Sequence, residues 1–183
     1  VFGGMDLTFL NSAEVFDTAV ETWRACPPML QHRCHAAVAH TRGCAYVAGG
    51  FDGVELRAAE YFCVETQAWV QLPQMIHARC GAVAAMAQQR RVFVCGGCGL
   101  SGVFAEAYDI SAGAWEALRP PGAQGRCFGA VAAVANHVYV CGGGGDQDLC
   151  NVERLNLRNG TWEVMEPLPF SRARASGFYS LFS

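Results

Sequence analysis

The chain has no lysine: all 13 of its basic residues other than histidine are arginines. It therefore offers no ammonium group for acetylation or ubiquitin attachment. A GC-rich coding bias, visible in the alanine and glycine content, accounts for the absence. Charged residues are also scarce, at 16%, against 52% hydrophobic ones. That balance excludes a disordered chain and gives 183 residues enough apolar side chains for one sizeable core. No apolar run reaches the roughly 18–20 residues of a membrane-spanning helix, and the longest smooth stretch, residues 129–134, suits a strand. The net charge of −3 leaves no basic surplus for nucleic acid to select. Neither nucleic acid nor a membrane is an expected partner. The chain opens in mid-strand at Val1, without an initiator methionine or secretory leader. It reads as a segment of a longer protein, so missing targeting signals carry no information.

What is present is one pattern written four times. Glycine pairs stand at Gly3-Gly4, Gly49-Gly50, Gly96-Gly97 and Gly142-Gly143, with spacings of 46, 47 and 46 residues. Each is followed by a glutamate (Glu14, Glu60, Glu106, Glu153) and then a tryptophan (Trp23, Trp69, Trp115, Trp162). An arginine follows at Arg33, Arg79 and Arg126, and either Arg172 or Arg174 takes that place in the last copy. A period of about 40–50 residues, rich in short strands and turn signals, marks a radial β array. In the second copy, residues 36–39, 44–48, 59–64 and 69–72 read as four short strands of one antiparallel sheet. The first carries small side chains suited to a crowded axis. Proline closes the fourth, where a missing N–H is tolerated at an outer edge.

Ten cysteines suggest a disulfide framework until their positions are compared. Cys34, Cys80 and Cys127 each follow the repeat arginine, and Cys95 and Cys141 each precede a glycine pair. Equivalent positions on neighbouring units lie too far apart for the roughly 4.4–6.8 Å Cα separation of a disulfide. Small buried thiols in a reducing compartment, the cytoplasm, are the expectation. Cys95-Gly96-Gly97-Cys98 lacks the second ligand pair of a structural zinc site, and no helix is expected beside it to activate a thiol. The glycine pairs lack the Lys-Ser/Thr of a phosphate loop. The strict period of the tryptophans and glutamates assigns them to blade packing and local hydrogen bonds. The five histidines show no ligand spacing. No metal and no cofactor are expected.

An aromatic residue before Gly-Gly, then Glu-x-(Phe/Tyr), Trp, a proline-rich turn and Arg resembles the kelch repeat. Here it reads Val1-Phe2-Gly3-Gly4, Glu14-Val15-Phe16-Asp17, Trp23, Pro27-Pro28-Met29, Arg33. The likeness spans the whole chain and is weakest in the last copy, where Leu155 replaces Phe16, Phe62 or Tyr108. BTB-kelch adaptor proteins are the nearest subgroup. The resemblance implies an all-β propeller of four-stranded antiparallel blades around a central channel. On that reading residues 1–31 supply strands b to d of an incomplete blade. Residues 32–77, 78–124 and 125–170 form whole blades, and 171–183 the first strand of the next or closing blade. Four blades' worth of strands leaves two architectures open. One is a small ring closed by residues 176–182. The other, which we favour, is an arc of a larger ring.

In the kelch family, the link entering each blade and the loop after its glycine pair line one open face, where partners dock. That places Arg33, Cys34, Arg79, Cys80, Arg126, Cys127 and Arg174, together with Phe51, Asp52 and Arg57, on the expected partner-binding face. Guanidinium groups around a channel mouth suit an acidic protein or peptide ligand. The competing reading makes the repeat arginines scaffold residues that bond loop carbonyls. Cysteine stands where relatives commonly carry serine, which makes this surface more apolar or redox-responsive. The resemblance implies a non-enzymatic interaction module. Its forms include the substrate-recognition propeller of a cullin-type ubiquitin ligase adaptor, engaging the cullin through domains outside this segment, a scaffold, and an actin-binding protein. A galactose oxidase-like or sugar isomerase-like enzyme on the same scaffold is the other class.

Overall fold

A computed structural model of the chain describes residues 1–41, 43–98, 105–118, 126–144 and 149–172. Among these residues the chain is all-β. It opens with a small hairpin, β1 (Met5–Asp6) and β2 (Thr8–Phe9), turning at Leu7 (φ 34°) where only a loop was expected. Next come β3 (Ala13–Asp17) and β4 (Thr22–Cys26), an antiparallel pair to which residues 1 and 2 add a single bridge, Phe2 to Ala13. Three four-stranded sheets follow. They are β5 (Ala37–His40), β6 (Cys44–Ala48), β7 (Ala59–Cys63) and β8 (Ala68–Gln71), then β9 (Val83–Ala87), β10 (Arg91–Cys95), β11 (Ala105–Asp109) and β12 (Ala114–Leu118). The last is β13 (Ala130–Val134), β14 (His137–Cys141), β15 (Val152–Asn156) and β16 (Trp162–Met165). Each is antiparallel in sequence order, the arrangement of a kelch blade. We number the blades one to four along the chain, the first being incomplete.

The inner strands lie side by side in the order β5, β9, β13, and the described sheets do not close into a ring. A cavity of about 360 Å³, lined by Val38, Ala84, Ala85, Val131 and Ala132, runs along them as the channel wall. Alanine at these positions lets three backbones converge on one axis. The strand next outward is apolar on both faces because a blade is covered on both sides. Val92 and Val94 of β10 join Tyr46, Leu72 and Met75 in the core shared with blade two. Phe93 and Cys95 join Val131, Val138 and Leu155 in the core shared with blade four. Period-2 alternation is preserved, but each face finds an apolar neighbour, so the strand reads as a continuous hydrophobic run.

The outer edge is set by bulk. Phe16–Trp23, Phe62–Trp69 and Tyr108–Trp115 face each other across the last two strands, with ring centroids 5.3, 5.2 and 5.3 Å apart. Leu155 occupies the same register slot opposite Trp162 and is buried. Two indoles also tie blades together: Trp69 Nε1 donates to Pro27 O at 2.7 Å and Trp115 Nε1 to Pro73 O at 2.9 Å. Small residues inside and a bulky pair outside, two rings in three blades and Leu155 with Trp162 in the fourth, give the sheets their wedge shape.

The glycine pairs sit where the chain approaches the next blade's link. Gly49 has φ 67°, and a Cβ there would lie 2.5 Å from the carbonyl oxygen of Arg79. Only glycine fits both the left-handed backbone and the contact. The second glycine then donates its N–H to that oxygen. Gly4 to Arg33 O, Gly50 to Arg79 O, Gly97 to Arg126 O and Gly143 to Arg172 O measure 2.9, 2.9, 2.7 and 2.8 Å. This latch assigns the fourth repeat position to Arg172. Arg174, our expected member of the set, lies outside the described residues.

Candidate partner-binding face

The links between blades enter the face that carries the glycine-pair loops. Within them the repeat arginines turn inward. Arg33 is 1% exposed and Arg79 2%. Arg33 Nη1 donates to Gly49 O (2.6 Å) and Ala58 O (3.0 Å), and Nη2 to Glu60 Oε1 (2.6 Å). Arg79 repeats this with Gly96 O (2.7 Å) and Glu106 Oε1 (2.6 Å). Arg126 reaches Gly142 O, Asn151 O and Glu153 Oε2, each at 3.3 Å. Burial pulls the Arg33 guanidinium below its usual pKa, opposed by the Glu60 carboxylate. The glutamates also hold link backbone. Glu60 Oε2 accepts from Leu30 N (2.8 Å), and Glu106 accepts from Ile76 N (2.7 Å) and His77 N (2.9 Å).

This geometry corrects our placement of Arg33, Arg79 and Arg126 on a ligand-facing surface. Backbone carbonyls and one carboxylate take the Nη donors of these buried guanidinium groups, while the buried Nε of Arg33 and of Arg79 finds no partner among the described residues. The argument for an acidic ligand loses its donors at these three positions. Glu14 is the informative exception: at the same repeat position it is exposed.

Beside each arginine the cysteine pairs with the residue after the glycine pair: Cys34 with Phe51, Cys80 with Cys98, Cys127 with Gly144. Cys34 is buried, and its Sγ lies 3.5 Å from Phe51 O. Cys80 lies 4.0 Å from Glu55 Oε1, and burial followed by that carboxylate raises its pKa. The Cys-x-x-Cys motif is split, because Cys95 points into the blade core, where burial raises its pKa to about 12, while Cys98 opposes Cys80. Among the described residues, no group of three or more His, Cys, Asp or Glu is placed to hold a metal ion.

The next link residue lines the channel mouth. His35, Gly81 and Phe128 all take positive φ (52°, 63° and 54°). Gly81 N donates to His35 O (2.9 Å) and Phe128 N to Gly81 O (2.7 Å), which chains three blades together. The His35 and Phe128 rings meet edge-on at 5.4 Å, over a glycine whose absent Cβ makes room for Phe128. Our sequence reading missed this aromatic pair. Its signal was present as the position two after each repeat arginine.

Further out, Phe51 packs edge-on against Phe9 of β2 at 5.6 Å, joining the first two glycine-pair loops. Asp52 accepts from Gln31, and exposed Arg57 donates from Nε to Met75 O at 2.7 Å. Around this junction Met5 (69%), Leu7 (103%) and Val54 (65%) stand in solvent, beside Asp6, Asp52 and Glu55. The remainder of the third and fourth glycine-pair loops, residues 99–104 and 145–148, falls outside the described residues.

The Kelch motif matches residues 1–30, 32–76 and 125–169, well over half of the chain, and the chain belongs to the kelch-repeat family. The third copy is unmatched, although β9–β12 form the same four-stranded sheet as the other whole blades. The least typical copy is therefore the third, not the last as Leu155 had led us to expect. No curated protein is significantly similar to the chain. Kelch repeats build protein-interaction propeller modules, and the scaffold is usually non-enzymatic.

Proposed function

We propose that this segment recognises a protein or peptide through the glycine-pair loop face. The contact surface is the junction of the hairpin Met5–Phe9 with residues 51–57, bordered by His35 and Phe128 at the channel mouth. One observation carries the reading. The repeat arginines of the three whole blades are spent internally, whereas Met5, Leu7 and Val54 are exposed apolar side chains on the two loops that the Phe9–Phe51 contact joins. Variable loops on a repeating scaffold are where such modules hold specificity. Side chains of this kind, rimmed by carboxylates, fit a partner with an apolar anchor and basic flanks better than the acidic ligand we first considered. The finer reading is the substrate-recognition propeller of a cullin-type ubiquitin ligase adaptor in the cytoplasm, with the cullin engaged by domains outside this segment. It rests on family resemblance alone.

The test compares wild-type protein with Leu7→Asp and Val54→Asp variants in proximity labelling. A partner lost from both variants, with melting temperature unchanged, supports the face. A partner retained by both places recognition elsewhere. Co-purification of the full-length protein with a cullin tests the adaptor role separately.

A further inference from the structure

At the opposite end of the blades from the glycine pairs, one register position changes its chemistry. The first residue of each second strand faces the last residue of the third. In blade three this pair is Arg91 and Asp109, and in blade four His137 and Asn156. In blade two it is Cys44 and Cys63. The acidic or amide member does a local job. Asp17 Oδ1 accepts from Ala19 N, Asp109 Oδ1 from Ser111 N and Ala112 N, and Asn156 Oδ1 from Arg158 N. Each is a turn that points backbone N–H groups at a side-chain acceptor. Cys63 fills that slot, so a sulfur stands at the head of a turn where the other blades place an oxygen.

We propose that Cys63 and Cys44 form a peroxide-sensitive dithiol, with Cys63 the reacting thiol and Cys44 its resolving partner. The turn supplies the activation. The Thr66 hydroxyl, then the Thr66 and Glu65 amides, hold the Cys63 pKa below the usual thiol value. Donors aimed at sulfur stabilise the thiolate, the species that attacks. Cys44 is the quieter partner: burial, then the neighbouring Cys63, raises its pKa. Both thiols are partly accessible, Cys44 along a groove of about 390 Å³ that it shares with Phe16, Trp23 and Cys26.

The backbone supplies the geometry for closure. Gly43 O accepts from Val64 N, so the Cys44–Cys63 pair beside it is a non-hydrogen-bonded one. Such pairs have Cα atoms about 4.5 Å apart, at the short end of the range a disulfide spans. A bridge there is strained and readily reduced, which suits a reversible link. The reaction balances with a hydroperoxide as oxidant. Cys63 sulfur attacks the outer peroxide oxygen, the O–O bond breaks, and the products are Cys63 sulfenic acid and an alcohol or water. Cys44 sulfur then attacks the sulfenic sulfur; the S–S bond forms, the S–O bond breaks, and hydroxide leaves with the Cys44 proton as water. A small thiol reverses it by exchange.

Trypsin reads the result directly, because residues 43–57 and 58–79 each carry one cysteine. The full chain is treated with limiting hydrogen peroxide, alkylated and mapped without reductant. The expected product is the 43–57/58–79 cross-link, lighter by two hydrogens and formed before any other cysteine is modified. Without peroxide, alkylation at neutral pH is expected on the order of tenfold faster in the 58–79 peptide than in 43–57. In Cys44→Ser, Cys63 is expected to persist as a sulfenic acid trapped by a cyclic dione. Oxidation that falls first on other cysteines, or a Cys63 that alkylates no faster than Cys44, overturns the proposal.

Discussion

The two ends of the β6–β7 pair follow different rules. At the glycine-pair end, Val47 faces Glu60, and the Glu60 carboxylate with its arginine is reproduced in blades three and four. At the other end, Cys44–Cys63 has no counterpart, since blades three and four carry Arg91–Asp109 and His137–Asn156. The difference lies in what surrounds each end. The first is enclosed by a link, a glycine pair and a neighbouring blade, so any change leaves a buried charge or an unpaired carbonyl. The second borders solvent, where water substitutes for a lost partner and the residue type is free to change. Repetition therefore marks where the scaffold is enclosed, and departures from it mark where individual chemistry can enter.

The largest effect should come from breaking the enclosed end. Arg79→Ala leaves buried Glu106 with the partly exposed His77 ring, 3.1 Å away, in place of its guanidinium, and should cost about 3–5 kcal/mol in chemical denaturation. Glu14→Ala, at the same repeat position as Glu106 but exposed, should cost no more than about 0.5 kcal/mol. Equal losses would erase the distinction between the two environments. Trp115→Phe keeps a ring opposite Tyr108 but removes the donor to Pro73 O, and should cost about 1 kcal/mol. Trp23→Phe, whose indole is 57% exposed, should cost less.

The smallest effect belongs to the solvent end and is read from the acid limb of the stability curve. The Asp109 pKa is held down to about 2, first by the Ser111 hydroxyl and then by the Ala112 and Ser111 amides, from an ordinary value of 3.8. A depressed carboxyl contributes its full share of stability above the unfolded value and loses it as pH falls from near 4 toward 2. Asp109→Asn keeps the turn acceptor and removes the titration, so its stability should fall less steeply through that window. Superimposable acid curves would show that the turn does not depend on the charge.

Much of this was open to reading from spacing. The glycine pairs, rings and tryptophans marked four copies, and those intervals were enough for all-β blades with small residues inside and bulk outside. The repeat arginines were harder. A charged residue in a link reads as exposed, and its burial depends on a carboxylate arriving from another strand. A trace was nevertheless there: Arg33 to Glu60, Arg79 to Glu106 and Arg126 to Glu153 are each 27 residues apart. Opposite charges sharing one interval point to a pair. Likewise each latch arginine lies 29 residues beyond its glycine, which selects Arg172 over Arg174. The Cys44–Cys63 pair left no such trace, because it is defined by departing from the repeat.

By itself, the order of residues determined the repeat, the strand pattern and the family, since these depend on local periodicity and on small or bulky side chains at regular intervals. Only the tertiary structure decided which way the arginines turn, which cysteines face each other and which apolar side chains remain in solvent. Those outcomes depend on segments about 20 to 50 residues apart meeting across strands and blades, where burial and the supply of hydrogen-bond partners choose among orientations that are equivalent in an unfolded chain.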